Sequence, residues 1–284
     1  MVRTRFAPSP TGPLHLGHAY SALTAFDFAH TAGGTFLLRI EDTDFARCKP
    51  EWETQIYDDL HWLGVTWPAP ARRQSDHLGS YDVALDQLGA AELLYPCACN
   101  RSDIRAAASA PQGETPLTGP DGIVYPGTCR HRAFRDRRPG DALRLNMAKA
   151  IASIADVGSL YWTDIGAMVP GTVHLAPDTL INTVGDVVLA RRLVGTAAYH
   201  LAVTLDDAAQ SITHVVRGAD LIEVTQIHVL LQALLGLPTP IYLHHRLITD
   251  EAGKRLAKRD DARALSTYRD QGLEPSQIRG LLAL

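Results

Sequence analysis

Two histidines three residues apart, His15 and His18, close a run of unusual composition: Arg5-Phe6-Ala7-Pro8-Ser9-Pro10-Thr11-Gly12-Pro13-Leu14-His15-Leu16-Gly17-His18. An apolar strand leads into a Pro/Gly loop, which opens a helix with the imidazoles at its start. Backbone N–H groups lack partners at a helix N-terminus and the helix dipole favours anions there, so the arrangement suits phosphate. Gly17 lets a nucleotide approach closely. Imidazoles placed here can donate to phosphate oxygens and stabilise charge on a phosphorus under attack. Histidines at this spacing can instead hold a metal or simply pack; the strand and turn before them favour the nucleotide.

A second cationic element, Gly253-Lys254-Arg255-Leu256-Ala257-Lys258-Arg259, lies near the end of the chain. Alone it reads as solvated surface. Paired with the first motif it reads as a mobile loop that closes on a triphosphate, with Lys258 supplying charge as the reaction proceeds. A third set is Arg5, Ser9, Glu41, Tyr199 and Arg217. Arg5, Glu41 and Arg217 fall at the ends of expected strands, where arginine suits an anionic group and glutamate an ammonium. Both charges together describe an amino acid, and surplus arginine an acidic one. Spacing alone equally allows these residues to pair with one another across the strand ends. A fourth set is Cys97, Cys99, Tyr125 and Cys129. Three thiolates suggest a structural zinc, whose fourth donor is Tyr125 or His131; the plainer alternative is buried free thiols. Cys48 stands apart and reads as inert.

The elements that must position these groups follow from the apolar pattern. Residues 3–7 and Phe36–Ile40 read as buried strands, with helices from His18 to about Thr31, over 51–63 and over roughly 79–93. Gly33-Gly34 stops the first helix. This alternation predicts a parallel sheet with crossovers, whose ligands lie beyond the carboxyl ends of the strands. Periodicity breaks down after Tyr95, and 96–180 reads as an insertion with a mobile loop over Ala106–Gly122 and strand-like runs at Ala142–Asn146 and Val173–Leu175. Parallel-sheet character is expected again at Asp186–Leu189, Ala198–Leu205 and Ser211–Arg217, before a helix over Asp220–Leu235. The expected fold class is α/β: a Rossmann-type doubly wound parallel sheet with a zinc-containing insertion and a small C-terminal helical extension. Residues 1–95 and 181–238 would form the two halves of the Rossmann catalytic domain, 96–180 an inserted zinc-binding, acceptor-like subdomain, and 239–284 the C-terminal region with the cationic loop.

At 284 residues the chain can bury a sizeable core. It has no apolar run of about 18 residues and no basic segment followed by an apolar one, so neither a span nor a secretory leader is expected. Four cysteines, three of them grouped, fit a cytosolic metal site better than a disulfide framework. A cytoplasmic monomer is the expectation. A net charge of −4 argues against coating nucleic acid non-specifically. It leaves open a local basic face for one folded RNA, for which Arg130, His131, Arg132, Arg135, Arg137, Arg138 and Arg144 are candidates, or else plain solvated surface.

Together these motifs resemble the class I aminoacyl-tRNA synthetases of the glutamyl type. His15–His18 resembles their HIGH motif and Arg255–Arg259 their KMSKS motif. Arg-Phe-Ala-Pro-Ser-Pro-Thr-Gly, Leu-Leu-Arg-Ile-Glu-Asp-Thr-Asp, Tyr-His-Leu-Ala-Val and Asp-Asp stand in family order from about Val2 to Arg259. The resemblance implies a ligase that activates L-glutamate with ATP, accompanied by magnesium, to glutamyl-adenylate. It implies glutamate contacts at Arg5, Phe6, Ala7, Pro8, Ser9, Glu41, Tyr199 and Arg217, and ATP contacts at His15, Gly17, His18, Asp220 and Lys258. His15, His18 and Lys258 would be catalytic, and Cys97, Cys99, Tyr125 and Cys129 would hold one zinc. The loop departs from the family pattern: Ala257 lacks a hydroxyl and Arg255 replaces a lysine. The chain ends about 25 residues after that loop, so no anticodon-binding domain is expected. With the cysteine pattern, this implies a paralogue that passes glutamate to the queuosine base in the anticodon of tRNA(Asp). A truncated synthetase that charges the tRNA 3′ end, a nucleotidyltransferase with a His-x-Gly-His motif and a catalytically silent tRNA-binding paralogue are the alternatives.

Overall fold

A computed structural model describes residues 1–109, 117–192, 196–249 and 263–284. The chain starts with β1 (Arg3–Phe6), buried along most of its length. Beyond the Pro/Gly loop lies α1 (Leu16–Thr31), which buries Ala19, Ala22, Leu23, Ala25 and Ala29. These small residues let the helix lie close to β1, and the Thr4 hydroxyl donates to the Ala25 carbonyl at 2.8 Å. Gly33 takes a left-handed φ of +60°, and a Cβ on Gly34 would run into the Val2 carbonyl, so the turn out of α1 requires both glycines. β2 (Thr35–Ile40) follows, parallel to β1. Then come α2 (Pro50–Trp62), the short β3 (Arg72–Arg73) parallel to β2, and α3 (Leu78–Ala90).

The chain now leaves this sheet through β4 (Leu94–Cys97), α4 (Arg101–Ser109) and a small hairpin of β5 (Thr118–Gly119) and β6 (Gly122–Ile123). β7 (Ala142–Leu145), α5 (Met147–Ala152), the hairpin of β8 (Tyr161–Asp164) and β9 (Gly171–His174), α6 (Pro177–Thr179) and β10 (Val188–Ala190) come next. β7 is the middle of an antiparallel sheet between β4 and β10. The chain ends with α7 (Tyr199–Ala209), β11 (His214–Gly218), α8 (Thr225–Leu235), β12 (Ile241–His245), α9 (Leu265–Asp270) and α10 (Pro275–Leu282).

β11 and β12 are parallel, β8 joins β12 in parallel, and β9 forms the antiparallel edge. β11 runs beside β1, where the Thr213 N–H donates to the Arg3 carbonyl at 3.0 Å. Strands therefore lie in the order β3-β2-β1-β11-β12-β8-β9. The direction of winding reverses between β1 and β11, the place where doubly wound sheets hold ligands. One apolar core runs from α3 and β4 through β7 to α7, α8 and β12. A second packs α1 and α2 against β1 and β2 and takes in Leu265, Ile278 and Leu282 from the last two helices.

Several elements depart from the sequence reading. Ala198–Leu205 is not a strand but the start of α7. That helix buries seven residues between His200 and Asp207 on all its sides, so it has no polar face to mark a helical period. Asp186–Leu189 leads into β10, which pairs antiparallel with β7 rather than in the parallel sheet. β8 and β9, inside the expected insertion, join the main sheet instead, so strand pairing crosses the 180/181 boundary in both directions. The expected loop Ala106–Gly122 begins inside α4 and ends in the β5–β6 hairpin.

Candidate active site

The reversal between β1 and β11 opens a cavity of about 350 Å³. Arg5, Phe6 and Ala7 from the end of β1, Glu41 after β2, Tyr199 from α7, Arg217 from β11 and Asp220 just after it line the cavity together with His15, Gly17 and His18 from the start of α1. Pro8 and Ser9 do not line it. The Pro8 carbonyl accepts the Glu41 N–H at 3.0 Å and so sets where Glu41 leaves β2, while the Ser9 carbonyl accepts from Thr11 at 2.8 Å and shapes the loop. Lys258, Arg255 and Ala257 lie outside the described residues. The segments flanking them reach the cavity: Ile248 lines it, and the Leu265 N–H donates to the Leu14 carbonyl at 2.8 Å.

Arg5 and Glu41 are embedded in charge. Arg5 Nε donates to Asp207 Oδ1 at 2.9 Å and Nη2 to Oδ2 at 3.3 Å. The wholly buried Arg39 donates to the same Asp207 at 2.7 Å and to Glu41 at 3.4 Å. Asp207 is buried, which alone would raise its carboxyl, but the Arg5 and Arg39 charges outweigh this and hold it below its usual range. Burial pushes Glu41 up to about 7 despite Arg39 and Arg5. Burial also raises the Tyr199 phenol. Arg5, Glu41 and Arg217 therefore do not pair with one another across the strand ends among the described residues: Arg5 pairs with Asp207 on α7 and Glu41 with Arg39. Sequence reasoning quoted Arg39 and Asp206-Asp207 in motifs without giving them work; arginine inside the apolar run Leu-Leu-Arg-Ile was the signal.

Arg217 is held differently. Its Nε donates to His244 Nε2 at 3.1 Å, Nη1 to His228 Nδ1 at 3.1 Å, and Nη2 to the Thr225 hydroxyl at 2.7 Å and the Leu221 carbonyl at 3.2 Å. No carboxylate touches it among the described residues. None of these partners had been singled out, because histidines 200, 228 and 244 share no sequence motif.

His15 is the N-cap of α1, and its Nδ1 accepts the Gly17 N–H at 3.1 Å. His18 Nδ1 accepts the His15 N–H at 3.2 Å, completing a reciprocal capping box. Each ring thus uses Nδ1 as acceptor, which puts its proton on Nε2. The ring centroids lie 3.8 Å apart with the planes tilted by 32°.

Away from this cavity, Cys97, Cys99 and Cys129 bring their sulfurs within 4.8 Å of one another. Cys99 and Cys129 are 3.6 Å apart, and the Tyr125 hydroxyl sits 3.4 Å from Cys97 and 3.5 Å from Cys99. Ligands about 2.3 Å from a tetrahedral zinc stand about 3.8 Å apart, so the donor set fits that ion. His131 is not in the group; it lines a separate cavity with Arg130, Arg132 and Arg135. Cys48 is half-buried, with its thiol turned to the Glu41 carbonyl at 3.8 Å, and burial raises its pKa.

Among the described residues, three of the six arginines in the cluster meet a carboxylate. Arg130 meets Asp186 at 2.7 Å, Arg132 meets Asp141 at 2.7 Å, and Arg137 approaches Asp86 at 3.7 Å. Arg144 lies over the Tyr125 ring at 4.0 Å. Much of its charge is thus neutralised locally. Among the described residues no helix is long and apolar enough to cross a membrane.

Comparison with known proteins agrees with the site. The family model described as tRNA synthetases class I (E and Q), catalytic domain, matches residues 1–284. The glutamyl-Q tRNA(Asp) synthetase of Rhodobacter capsulatus is 58% identical over 288 residues, covering 99% of both chains. The protein of the same name from Symbiobacterium thermophilum is 40% identical and covers 100% of this chain and 86% of its own. A crystal structure of a glutamate tRNA ligase from Elizabethkingia meningosepticum, in complex with its amino acid, superposes with a TM-score of 0.71 at 31% identity. It covers 92% of this chain, which spans 52% of that ligase. With the family model matched along its whole length and a relative of that family 58% identical over 99% of both chains, the chain belongs to the class I tRNA synthetases of the glutamate and glutamine branch.

Proposed function

We propose that the protein activates L-glutamate with ATP to glutamyl-adenylate and transfers the glutamyl group to the queuosine base in the anticodon of tRNA(Asp). The observation that carries the first step is the polarity of one cavity. Its strand side offers Arg217 and Glu41, complementary to a carboxylate and an ammonium, and its helix side offers the His15 and His18 Nε2 groups and a helix N-terminus. Phe6 and Ala7 wall the amino-acid side, Pro8 and Ser9 shape the backbone behind it, and Arg5 sets Asp207 and the sheet end.

The α-carboxylate of glutamate is already a nucleophile, so no general base is required. Its oxygen attacks the α-phosphorus of ATP, the bond to the bridging oxygen breaks, and pyrophosphate leaves; magnesium, where bound to the triphosphate, would offset its charge. Catalysis is then alignment plus stabilisation of charge by His15 and His18, with Lys258 arriving from the segment that starts and ends beside the cavity. Asp220, which lines the cavity, would hold the ribose. In the second step a hydroxyl of a diol-bearing base attacks the acyl carbon, the bond from that carbon to the phosphate oxygen breaks, and AMP leaves with its phosphate taking up the hydroxyl proton. The acceptor is supported by the names of the relatives that match end to end. Zinc, where bound by Cys97, Cys99, Cys129 and Tyr125, would clamp the end of β4 to the loop around Cys129 and takes no part in either step.

The deciding experiment incubates the protein with ATP, labelled glutamate and tRNA(Asp), with and without queuosine and with and without the 3′ adenosine. Label that requires queuosine and survives loss of the adenosine is the expected result. Label that needs the adenosine but not queuosine would favour charging of the 3′ end and overturn the reading.

A further inference from the structure

Of the arginines that line the cavity, Arg5 meets a carboxylate, whereas Arg217 and Arg246 meet none among the described residues. Arg5 and Arg39 share Asp207, and Arg39 also reaches Glu41 and Asp206. Arg217 is buried, yet among the described residues its guanidinium meets only imidazoles, a hydroxyl and a carbonyl, with the Tyr242 ring 5.1 Å beneath it.

The protonation of this shell follows from its donors. A guanidinium only donates, so His228 Nδ1 and His244 Nε2, which face it, carry no proton. The His228 proton is therefore on Nε2 and goes to His200 Nδ1 at 3.1 Å; the His200 proton is in turn on Nε2 and goes to Asp121 Oδ1 at 3.1 Å. The His244 proton is on Nδ1 and goes to Asp164. The Thr225 hydroxyl accepts from Arg217 and donates to the Leu221 carbonyl at 3.0 Å. Each carboxylate is kept one or two imidazoles away from the cation. Burial and the Arg217 charge push His228 well below its usual range and His244 down to about 4, so both rings are neutral near pH 7.

We infer that His228, backed by His200, together with His244, positions Arg217 through neutral acceptors and leaves its charge for the ligand, so that this shell sets selectivity for a side-chain carboxylate over the corresponding amide. Four N–H groups are engaged, which leaves one Nη1 hydrogen for a ligand in the cavity that Arg217 lines. A carboxylate placed there meets an uncompensated cation in a low-dielectric site, whereas an amide brings no charge to meet it. A direct aspartate partner, as at Arg5, would have cancelled that difference. The inference rests on the reading of the cavity as a glutamate site.

The test is amino-acid-dependent pyrophosphate exchange with glutamate and with glutamine. His228→Leu removes the acceptor; it should raise the KM for glutamate about tenfold, leave the KM for ATP within about twofold, and narrow the preference for glutamate over glutamine. His228→Gln can accept from Arg217 through Oε1 and donate to His200 through its amide, and should restore the glutamate KM to within about threefold of the parent. Equal loss for ATP and glutamate, or no change in glutamate KM, would overturn the inference. Nitrogen NMR of the parent protein gives a second reading that survives a poorly folded variant: His228 must show a proton on Nε2 and none on Nδ1, and the reverse overturns the scheme. Absence of glutamate-dependent exchange in the parent would instead overturn the glutamate reading itself.

Discussion

Glu41 lies 3.4 Å from the Arg39 guanidinium, yet its carboxyl sits at about 7 because burial outweighs the ion pair. The apo site is therefore partly protonated at neutral pH. A ligand ammonium must first find Glu41 ionised, so affinity for glutamate should rise between about pH 6 and 8 and level off above. Glu41→Gln should weaken binding and flatten that profile in calorimetric titration. Stability runs the other way. A carboxyl raised from 4.5 to about 7 favours the fold fully below 4.5 and loses that contribution as pH rises through 7, so Glu41→Gln should gain relative stability across that window.

Asp207 joins two buried cations, Arg5 at 2.9 Å and Arg39 at 2.7 Å. Asp207→Asn leaves both without their shared charge and should cost about 3–5 kcal/mol in urea unfolding. Because its carboxyl is held below 3.8, the stability it lends is complete above that value and is lost on acidification through its lowered pKa. The variant should therefore unfold with a shallower dependence on pH in acid. An unchanged profile would mean that the pair contributes nothing there.

His15 has two tasks, capping α1 and facing the cavity, and they can be separated. Asparagine is a strong N-cap, so His15→Asn should keep thermal stability within about 1 kcal/mol. It supplies no Nε2 proton to a phosphate, so kcat for pyrophosphate exchange should fall about a hundredfold or more. His15→Ala should lose both. Equal kcat in the asparagine variant and the parent would remove His15 from the reaction.

The purified protein should carry about one zinc, and Cys97→Ser should lose it by elemental analysis. Tyr125→Phe separates its role from that of the thiols. If the phenol oxygen is a ligand, affinity for the metal falls; if it only accepts the Cys129 N–H at 2.9 Å, zinc stays and the loop loosens.

Much of the first half of the chain is legible in sequence. The strand, loop and helix from Arg3 to Thr31 carry their signals locally: apolar run, Pro/Gly turn, capping residues and a glycine stop. α7 was not legible, because Tyr-His-Leu-Ala-Val-Thr-Leu is apolar or buried on every side and a short buried helix then reads like a buried strand. The residues lining the cavity were mostly visible, since Arg5, Glu41 and Arg217 sit at strand ends where charge is conspicuous. What holds them was not. Asp207, His228 and His244 act across 202, 11 and 27 residues of chain, and partners at such separations leave no local pattern.

The exchange of strands between the two sheets has a mechanical consequence. β8 and β9 are lent to the parallel sheet from one side of the expected boundary, while β10 is lent to the antiparallel sheet from the other. The chain is laced, not beaded. Pulling residues 96–180 away from the rest would have to break β8 from β12 and β10 from β7 at once, so force applied to that segment is felt at the strand next to Arg217.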